Sequence, residues 1–481
     1  MSRFNAAVWL LEGKPDDAIA IRVRDGSLTY GALRDTVART AGGLREAGVQ
    51  PEQRVLMVML DSPEFVAAFL GAMWLGAIPV PVNPLLRGVD IAPIAADARP
   101  RVTIVSPERE NAAAGLGTVV VGEPPAGEPV EPYETVEDSP GFWLCTSGTT
   151  GMPKLAMHRH VDARIVAEGF AREVLGITAD DVCYSVGPMF HAYGLGNSLF
   201  FPFAAAATAV LERTRPPTPP AVAELVRRER PTLFFAVPTF YAALLAADLP
   251  ADTFESVRHA VSAAEPLPAE LFARFRERFG IEILDGIGST EMTHCYLANR
   301  PGAAKAGTSG TVVGGYRVRI VDEQGNDADR GQLWVSGDSM ATGYWCRTAA
   351  TRATFVGEWM RTGDMYERDE DGYYTYLGRV DDMFKVGGEW VSPAEVEAAL
   401  IECPGVLEAA VVAYAEGGLL KAMAYVVASQ TPAPTEDALV EHCRARLAGF
   451  KRPKRFEFVD QLPKTATGKI KRFMLREGTS A

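Results

Sequence analysis

The sequence predicts an α/β protein: a large N-terminal domain of sheets flanked by helices with a β-rich part, then a small C-terminal α+β domain. Three observations carry this. From residue 17 to 60, short apolar runs alternate with stretches of helical period, a β-α-β-α rhythm that puts helices on the faces of a sheet. From Gly331 the pattern changes to short strands and turns. A charged break at Val380-Asp381-Asp382 then separates residues 1–380 from a smaller unit, 381–481, with strand and helix signals of its own. A chain of 481 residues is long enough for two or more domains with cores.

In chain order, Ala18 to Val23 reads as a strand, Gly26-Ser27 as a turn and Leu28-Thr29-Tyr30 as a short strand. Tyr30 to Ala47 places Leu33, Val37, Ala41 and Leu44 at helical spacing, and Gly48 stops it. Val55 to Leu60 is a buried strand. Phe65 to Val82 is uncharged and long enough to span a bilayer. Its flanks argue for a buried helix and a strand instead. Ser62-Pro63-Glu64 supplies an N-cap, a first-turn proline and a first-turn acid, Gly76 is a stop, and Ile78-Pro79-Val80-Pro81-Val82 cannot continue a helix. Residues 122–138, rich in Gly, Pro and Glu, read as a surface loop. Gly141 to Cys145 is a buried strand and Val161 to Leu175 looks helical. Leu233 to Pro238 is a strand, and Ala260 to Leu267 another that ends in a turn. Beyond residue 381 come a helix from Pro393 to Leu400, strands at Leu407 to Tyr414 and Lys421 to Ala428, and a helix from Thr435 to Leu447.

Apolar and charged fractions of 47% and 23% are those of an ordinary soluble protein. A net charge of −13 argues against a nucleic-acid surface, so functional positive charge is expected to be local. The six cysteines (Cys145, Cys183, Cys295, Cys346, Cys403, Cys443) contain no CxxC pair. That argues against a disulfide framework and a structural zinc, and fits a reducing cytoplasm. Met1-Ser2-Arg3-Phe4-Asn5 starts no signal peptide. The expectation is a cytoplasmic protein with no membrane partner.

After the buried run comes Thr146-Ser147-Gly148-Thr149-Thr150-Gly151-Met152-Pro153-Lys154, with four hydroxyls, two glycines and a lysine in nine residues. This chemistry suits polyanionic oxygen: glycine lets backbone N–H groups turn toward a phosphate, hydroxyls donate, and lysine adds a charge. The Walker A spacing is absent, and a plain Ser/Thr/Gly surface loop has the same composition. In a second stretch, a strand from Ile281 runs into Gly286-Ile287-Gly288-Ser289-Thr290, followed by Glu291. Hydroxyls for phosphate and a carboxylate for Mg2+ would sit side by side there; a helix N-cap explains the same residues equally well locally. His191, among the aromatics and glycines of Pro188 to Gly196, reads either as a packed ring or as a functional one.

Five segments, Thr146 to Lys154, Gly286 to Glu291, Thr362-Gly363-Asp364, Gly378 to Glu397 and Pro463 to Arg472, recur in an order and spacing that resemble the adenylate-forming superfamily. Its members are acyl- and aryl-CoA synthetases, peptide-synthetase adenylation domains and firefly luciferase. The likeness extends over essentially the whole chain. Ile283 to Met292, Ala341 to Trp345, Lys385 to Gly388 and Trp390 to Pro393 look most like benzoate-CoA ligases and related aryl-CoA ligases.

The resemblance implies two half-reactions, formation of an acyl-adenylate from ATP and transfer of the acyl group to CoA, with Mg2+ as the metal. Thr146, Ser147, Gly148, Thr149, Thr150, Gly151 and Lys154 would hold the β- and γ-phosphates. Thr290 would touch the α-phosphate and Glu291 the Mg2+. Ala264, Glu265, Asp285, Gly286 and Ile287 would line the adenine slot, and Asp364 and Arg379 would bind the ribose. His191 falls in a family active-site loop. Lys469 would be the catalytic lysine, bridging carboxylate and α-phosphate. Asp381 matches the hinge of a mobile C-terminal domain, whose swing would exchange Lys469 for the loop Lys385 to Trp390, with Gly387 and Gly388, at the pantetheine tunnel. Ala192, Tyr193, Phe200, Phe235, Tyr241, Ala264, Ile287, His294 and Cys295 would wall a pocket for a flat aryl acid.

Three positions depart from the family pattern. Leu155 replaces the glycine of P-K-G, Ala264 the glycine of S-A-G-E, and Cys295 a larger apolar residue. His294 and Cys295 point to a ring-substituted acid rather than plain benzoate. Two other readings are weighed. One is the same adenylation with another acceptor, such as a carrier-protein phosphopantetheine or a small nitrogen nucleophile. The other is a non-catalytic nucleotide-binding homologue, which the presence of Lys154, Glu291, Asp364, Arg379 and Lys469 opposes. The expected partners are a small aromatic carboxylic acid and CoA, without nucleic acid. A homodimer and a carrier protein stay open.

Overall fold

Six strands run parallel, in the order Ile283–Gly288, His259–Ser262, Leu233–Ala236, Val182–Ser185, Thr208–Val210 and Ile19–Val23. Antiparallel strands extend both edges, Cys295–Ala298 and Thr311–Val312 on one side and Gly26–Thr29 on the other. This is a computed structural model, and it describes residues 2–146, 153–387, 389–416, 419–429, 433–464 and 470–478. Short, almost wholly apolar strands such as Leu-Phe-Phe-Ala are what a sheet covered on both faces requires. Helices Pro219–Glu229, Pro238–Ala246 and Ala269–Phe279 pack Val226, Tyr241, Leu244, Phe272 and Phe275 against Tyr184 and Phe234 of this sheet. A second, four-stranded parallel sheet orders Ile78–Pro81, Arg54–Val58, Val102–Val105 and Val119–Val121.

Phe65 to Val82 resolves into the helix Pro63–Trp74 and the strand Ile78–Pro81. Ser62 Oγ accepts from Phe65 N at 3.3 Å, and Gly76 turns the chain out at φ +74°. Among the described residues no helix is long and apolar enough to cross a membrane. Three local expectations need correcting. Gly26 and Ser27 lie inside a strand, and the turn is Arg24-Asp25, because pairing of Val23 with Gly26 closes a two-residue hairpin. The helix expected over Val161 to Leu175 is α-helical only as His160–Val166, then widens into π turns over Ala167–Val174. Residues 122–138 are more than surface: Trp74 Nε1 donates to Val130 O at 2.8 Å, and a Cβ on Gly43 would meet Pro125 O at 2.2 Å. The loop is a strap over two helices.

The chain divides into two compact units. The first is Met1–Leu267, Leu271–Val318 and Val335–Met360, and the second is Pro268–Glu270, Arg319–Trp334 and Arg361–Ala481. The small C-terminal unit expected from residue 381 lies within the second. There, Val406–Glu416 pairs antiparallel with Leu419–Ala428, which pairs parallel with Arg455–Phe458. Helices Pro393–Ile401 and Glu436–Arg446 bury Val396, Leu400, Leu439 and Cys443 on Val411, Ala424 and Val426. A smaller cluster joins Val412, Tyr414 and Tyr425 with Leu462 and Leu475.

Candidate active site

In the first unit, strands Pro140–Thr146 and Lys154–Arg159 form a hairpin in which Thr146 pairs with Lys154. The two ends of the Ser/Thr/Gly loop are therefore pinned together. Ser147, Gly148, Thr149, Thr150 and Gly151 lie outside the described residues. The Lys154 ammonium sits 4.3 Å from the centre of the Tyr344 ring, over its negative face.

The strand Ile283–Gly288 ends at Ser289, whose hydroxyl accepts from Met292 N at 3.2 Å and caps the short turn Thr290–Met292. The cap is thus made by Ser289, and neither Thr290 nor Glu291 supplies it. Glu291 Oε1 accepts from Tyr344 Oη at 2.6 Å. The carbonyl of Thr290 accepts from His158 Nε2 at 2.9 Å. A carbonyl only accepts, so this bond puts the proton on Nε2. His158 Nδ1 faces Thr293 Oγ1 at 3.0 Å and Asp162 Oδ2 at 3.3 Å. Asp162, 0% exposed, takes the backbone N–H of Arg159 at 2.9 Å and its guanidinium at 2.9 Å. Thr293, directly after the turn, has φ +65°, a strained value for a β-branched residue. The turn carrying Thr290 and Glu291 is therefore held from behind by a chain from the half-buried Arg159 through the buried Asp162 and His158.

Among the described residues no three His, Cys, Asp or Glu side chains gather as a metal cage. A cation here would take one carboxylate, Glu291, plus substrate phosphate oxygens and water. That donor set fits Mg2+, which keeps its waters and prefers oxygen.

Asp285 lies buried on the same strand, with Oδ1 lacking a hydrogen-bond partner. Burial pushes its carboxyl well above the usual range. A buried acceptor without a donor is the kind of group a ligand completes. Gly286 and Ile287 follow it, pairing with Ala298 and Leu297. Ala264 is exposed and has φ +75°, a left-handed backbone that glycine takes without strain. Glu265 Oε2 accepts from Thr239 Oγ1 at 2.6 Å.

His294 is 2% exposed, and the backbone of Tyr193 is the polar group beside its ring. Its ring lies 4.5 Å from Phe201, 5.0 Å from Phe170 and 5.5 Å from Tyr193. Burial lowers its pKa to about 3, so the ring is neutral. A Cβ on Gly196 would come within 2.5 Å of His294 Cδ2, so that position admits only glycine. The Asn197 amide, 0% exposed, lies beside the Tyr193 hydroxyl. Tyr193 donates its hydroxyl to Val261 O at 3.0 Å, and its ring meets Phe235 edge-on. Cys295 is buried, and burial raises its thiol. Ala192 opens the short helix Ala192–Leu195, with His191 at its N-cap and the His191 ring against Phe190. The preceding backbone is fixed by Asp61, which accepts from Met189 N at 3.1 Å and pairs with Arg215 at 2.5 Å. Phe200 and Tyr241 do not join this wall: Phe200 packs on Phe69 and Phe142, and Tyr241 on Phe234 and Phe275.

In the second unit Asp364 and Arg379 sit opposite each other on paired strands, joined at 2.8 Å. Arg379 also donates to Thr362 O at 3.0 Å. Asp381 gives its carbonyl to Arg476 at 3.5 Å, and Asp382 pairs with Arg476 at 2.6 Å and Arg472 at 3.5 Å. Lys385 lies 4.5 Å over Trp390, and both reach Glu323, at 3.3 and 3.1 Å. Gly387, at φ +62°, turns that hairpin. Gly388 and Lys469 lie outside the described residues.

A sequence model described as AMP-binding enzyme matches residues 8–345, and one for the AMP-binding enzyme C-terminal domain matches residues 395–469. The chain belongs to the AMP-binding enzyme family. It is 44% identical to a 4-hydroxybenzoate–CoA/benzoate–CoA ligase of Rhodopseudomonas palustris, over 94% of this chain and 89% of that one. The crystal structure of a benzoate CoA ligase from Burkholderia xenovorans LB400 superposes with a TM-score of 0.92 at 42% identity, covering 98% of this chain and 100% of that one. The anthranilate CoA ligase AuaEII in complex with anthranoyl-AMP gives 0.93 at 35% identity, covering 99% and 97%. In this AMP-binding enzyme the sequence motifs pointed to Lys154, Thr290 and Glu291. They did not point to Tyr344, His158 or Asp162, which hold those residues. The spacing of His158 and Asp162 carries no such signal, because one residue is on a strand and the other on a helix.

Proposed function

We propose that this AMP-binding enzyme is an aryl-acid:CoA ligase. The acid carboxylate bonds to the α-phosphorus of ATP, the α–β P–O bond breaks, and pyrophosphate leaves. The CoA thiol then bonds to the acyl carbon of the aryl-adenylate, the acyl–oxygen bond breaks, and AMP leaves as the thiol proton is released. The observation that carries the reading is the meeting of Lys154 and Glu291 on one tyrosine, in a chain 44% identical to a 4-hydroxybenzoate–CoA/benzoate–CoA ligase.

Attack of one anion on another needs positive charge and N–H donors where charge develops. Thr146 to Lys154 would supply them to the β- and γ-phosphates, Thr290 to the α-phosphate, and Lys469 to the reacting oxygens. A Mg2+ ion on Glu291 would add charge at the phosphate oxygens. The unpartnered Asp285 oxygen suits an exocyclic amine, which supports an adenine slot with Ala264, Glu265, Gly286 and Ile287. Asp364 and Arg379 would take the ribose. Residues 381–481 would swing about Asp381 and bring Lys385 to Trp390, with Gly387 and Gly388, to the pantetheine. ATP and CoA are cytoplasmic substrates, and the cysteines are free thiols, so the enzyme would work in the cytoplasm.

For the acid, an aromatic box around His294 suits a flat ring. His294 and Asn197, buried polar side chains beside Tyr193, suit a hydroxyl or amino group on it, since an unpaired buried polar group costs about 1–3 kcal/mol. The test is ATP–pyrophosphate exchange over a panel of benzoates, then mass spectrometry with CoA added. Hydroxy- or aminobenzoate should exceed benzoate in kcat/KM, and Cys295→Ile should shift the ratio toward benzoate. Exchange without a thioester would favour another acceptor; no exchange with any acid would end the reading.

A further inference from the structure

We propose that Tyr344 is a positioning residue of the adenylation site, one that keeps its phosphate-binding ammonium and its cation-binding carboxylate from neutralising each other. The proposal rests on the function proposed above. Lys154 and Glu291 carry opposite charges in one half-buried region, and opposite charges this close attract. An ion pair between them would occupy the ammonium meant for phosphate and the carboxylate meant for the metal. Each instead meets Tyr344. Tyr344 stands between them and satisfies each through a different part of one side chain. Its ring face takes the Lys154 ammonium at 4.3 Å, and its hydroxyl donates to Glu291 Oε1 at 2.6 Å. Both contacts are weaker than a full ion pair and leave room for a stronger partner. A ring face leaves the N–H donors of lysine available, and one hydroxyl leaves the second carboxylate oxygen available.

The backbone fixes the tyrosine in this place. Ala341 N donates to Glu291 O at 2.8 Å, while Thr342 N and Trp345 N donate to Met157 O and Leu155 O, each at 2.9 Å. The segment 341–345 is thus laced both to the backbone of Glu291 and to the strand that begins at Lys154. Tyr344 N donates to Thr351 Oγ1 at 3.0 Å, and its ring packs 5.4 Å from Phe355. At 4% exposure the ring has little freedom to leave.

Calorimetric ATP binding in EDTA and in Mg2+, with pyrophosphate exchange at varied Mg2+, separates the two contacts. Tyr344→Phe keeps the face and loses the hydroxyl. It should bind ATP in EDTA within about twofold of wild type, while the Mg2+ concentration for half-maximal exchange rises about tenfold and kcat recovers at saturating Mg2+. Tyr344→Leu also loses the face and should bind ATP in EDTA about fivefold more weakly. An unchanged Mg2+ midpoint in Tyr344→Phe, or wild-type ATP affinity in Tyr344→Leu, overturns the proposal. Thermal melting checks folding, and if the leucine variant fails to fold, the phenylalanine variant decides alone. Absence of exchange by the wild type with every aromatic acid would instead sink the proposed function, and the binding comparison would still decide on Tyr344.

Discussion

His294 carries a charge in water at mildly acid pH and none in this fold. Its folded pKa of about 3 lies below its ordinary 6.5 because burial disfavours the imidazolium. Between those values the unfolded chain binds a proton that the folded chain does not, so stability falls as pH drops from 6.5 toward 3. His294→Leu should flatten that acid limb in thermal melts recorded from pH 7 to 4, with little change at pH 7.5. An unaltered limb would show that the ring is hydrated in solution. Residues of this kind were half legible in the sequence. The family position marked His294 and Cys295 for the pocket, yet nothing in the sequence marked Asn197, on the π turn Gly196–Phe200, or showed that Phe200 and Tyr241 face the core instead. For Asn197 and Phe200, side-chain direction on that widened turn does not follow the 3.6 period. Tyr344 lies inside the motif Ala341 to Trp345 with no role of its own in the sequence, because a tyrosine beside small residues reads locally as packing.

At the scale of elements, the turn Thr290–Met292 depends on the strand Lys154–Arg159. Removing the His158 imidazole strips the Thr290 carbonyl of its donor and leaves Asp162 facing an apolar neighbour. His158→Leu should lose about 2–3 kcal/mol of stability and slow pyrophosphate exchange more than it weakens ATP binding. His158→Gln, which still offers an N–H to Thr290, should recover part of the rate. Equal rates for the two variants would mean that the bond does not position the turn. Caps and stops made the helix Pro63–Trp74 readable in advance: Ser62 and Gly76 sit where their chemistry predicts. The Arg24-Asp25 hairpin was missed because neighbouring Gly26-Ser27 carries the stronger turn signal.

At the scale of the molecule, the expected hinge lies inside the second compact unit. Asp381 and Asp382 are bound there to Arg472 and Arg476, close in sequence to Lys469. If residues 381–481 move as proposed, Asp381→Pro, which fixes φ, should leave pyrophosphate exchange intact and abolish CoA turnover. Lys469→Ala should do the reverse, cutting exchange about a hundredfold or more while sparing thioester formation from supplied aryl-adenylate. Equal losses in both half-reactions would refute the alternation. The α/β class and a smaller C-terminal part were readable from periodicity. The gathering of Arg319–Trp334 with Arg361–Ala481 was not, because a compact unit assembled from separated stretches leaves no mark in local composition.

The hairpin pairing of Thr146 with Lys154 has a consequence for how this gene can change. Lys154 and His158 are four apart on one strand, so both point to the same face, one toward Tyr344 and the other toward Thr290. Side-chain direction alternates with residue count, and a single codon gained or lost between them would turn one of the two away. Point substitutions at Leu155 or Met157 leave that parity untouched, as the leucine standing in place of the family glycine illustrates. In a mutational library this segment should therefore accept apolar replacements at Leu155 and Met157 more readily than any single-residue insertion or deletion.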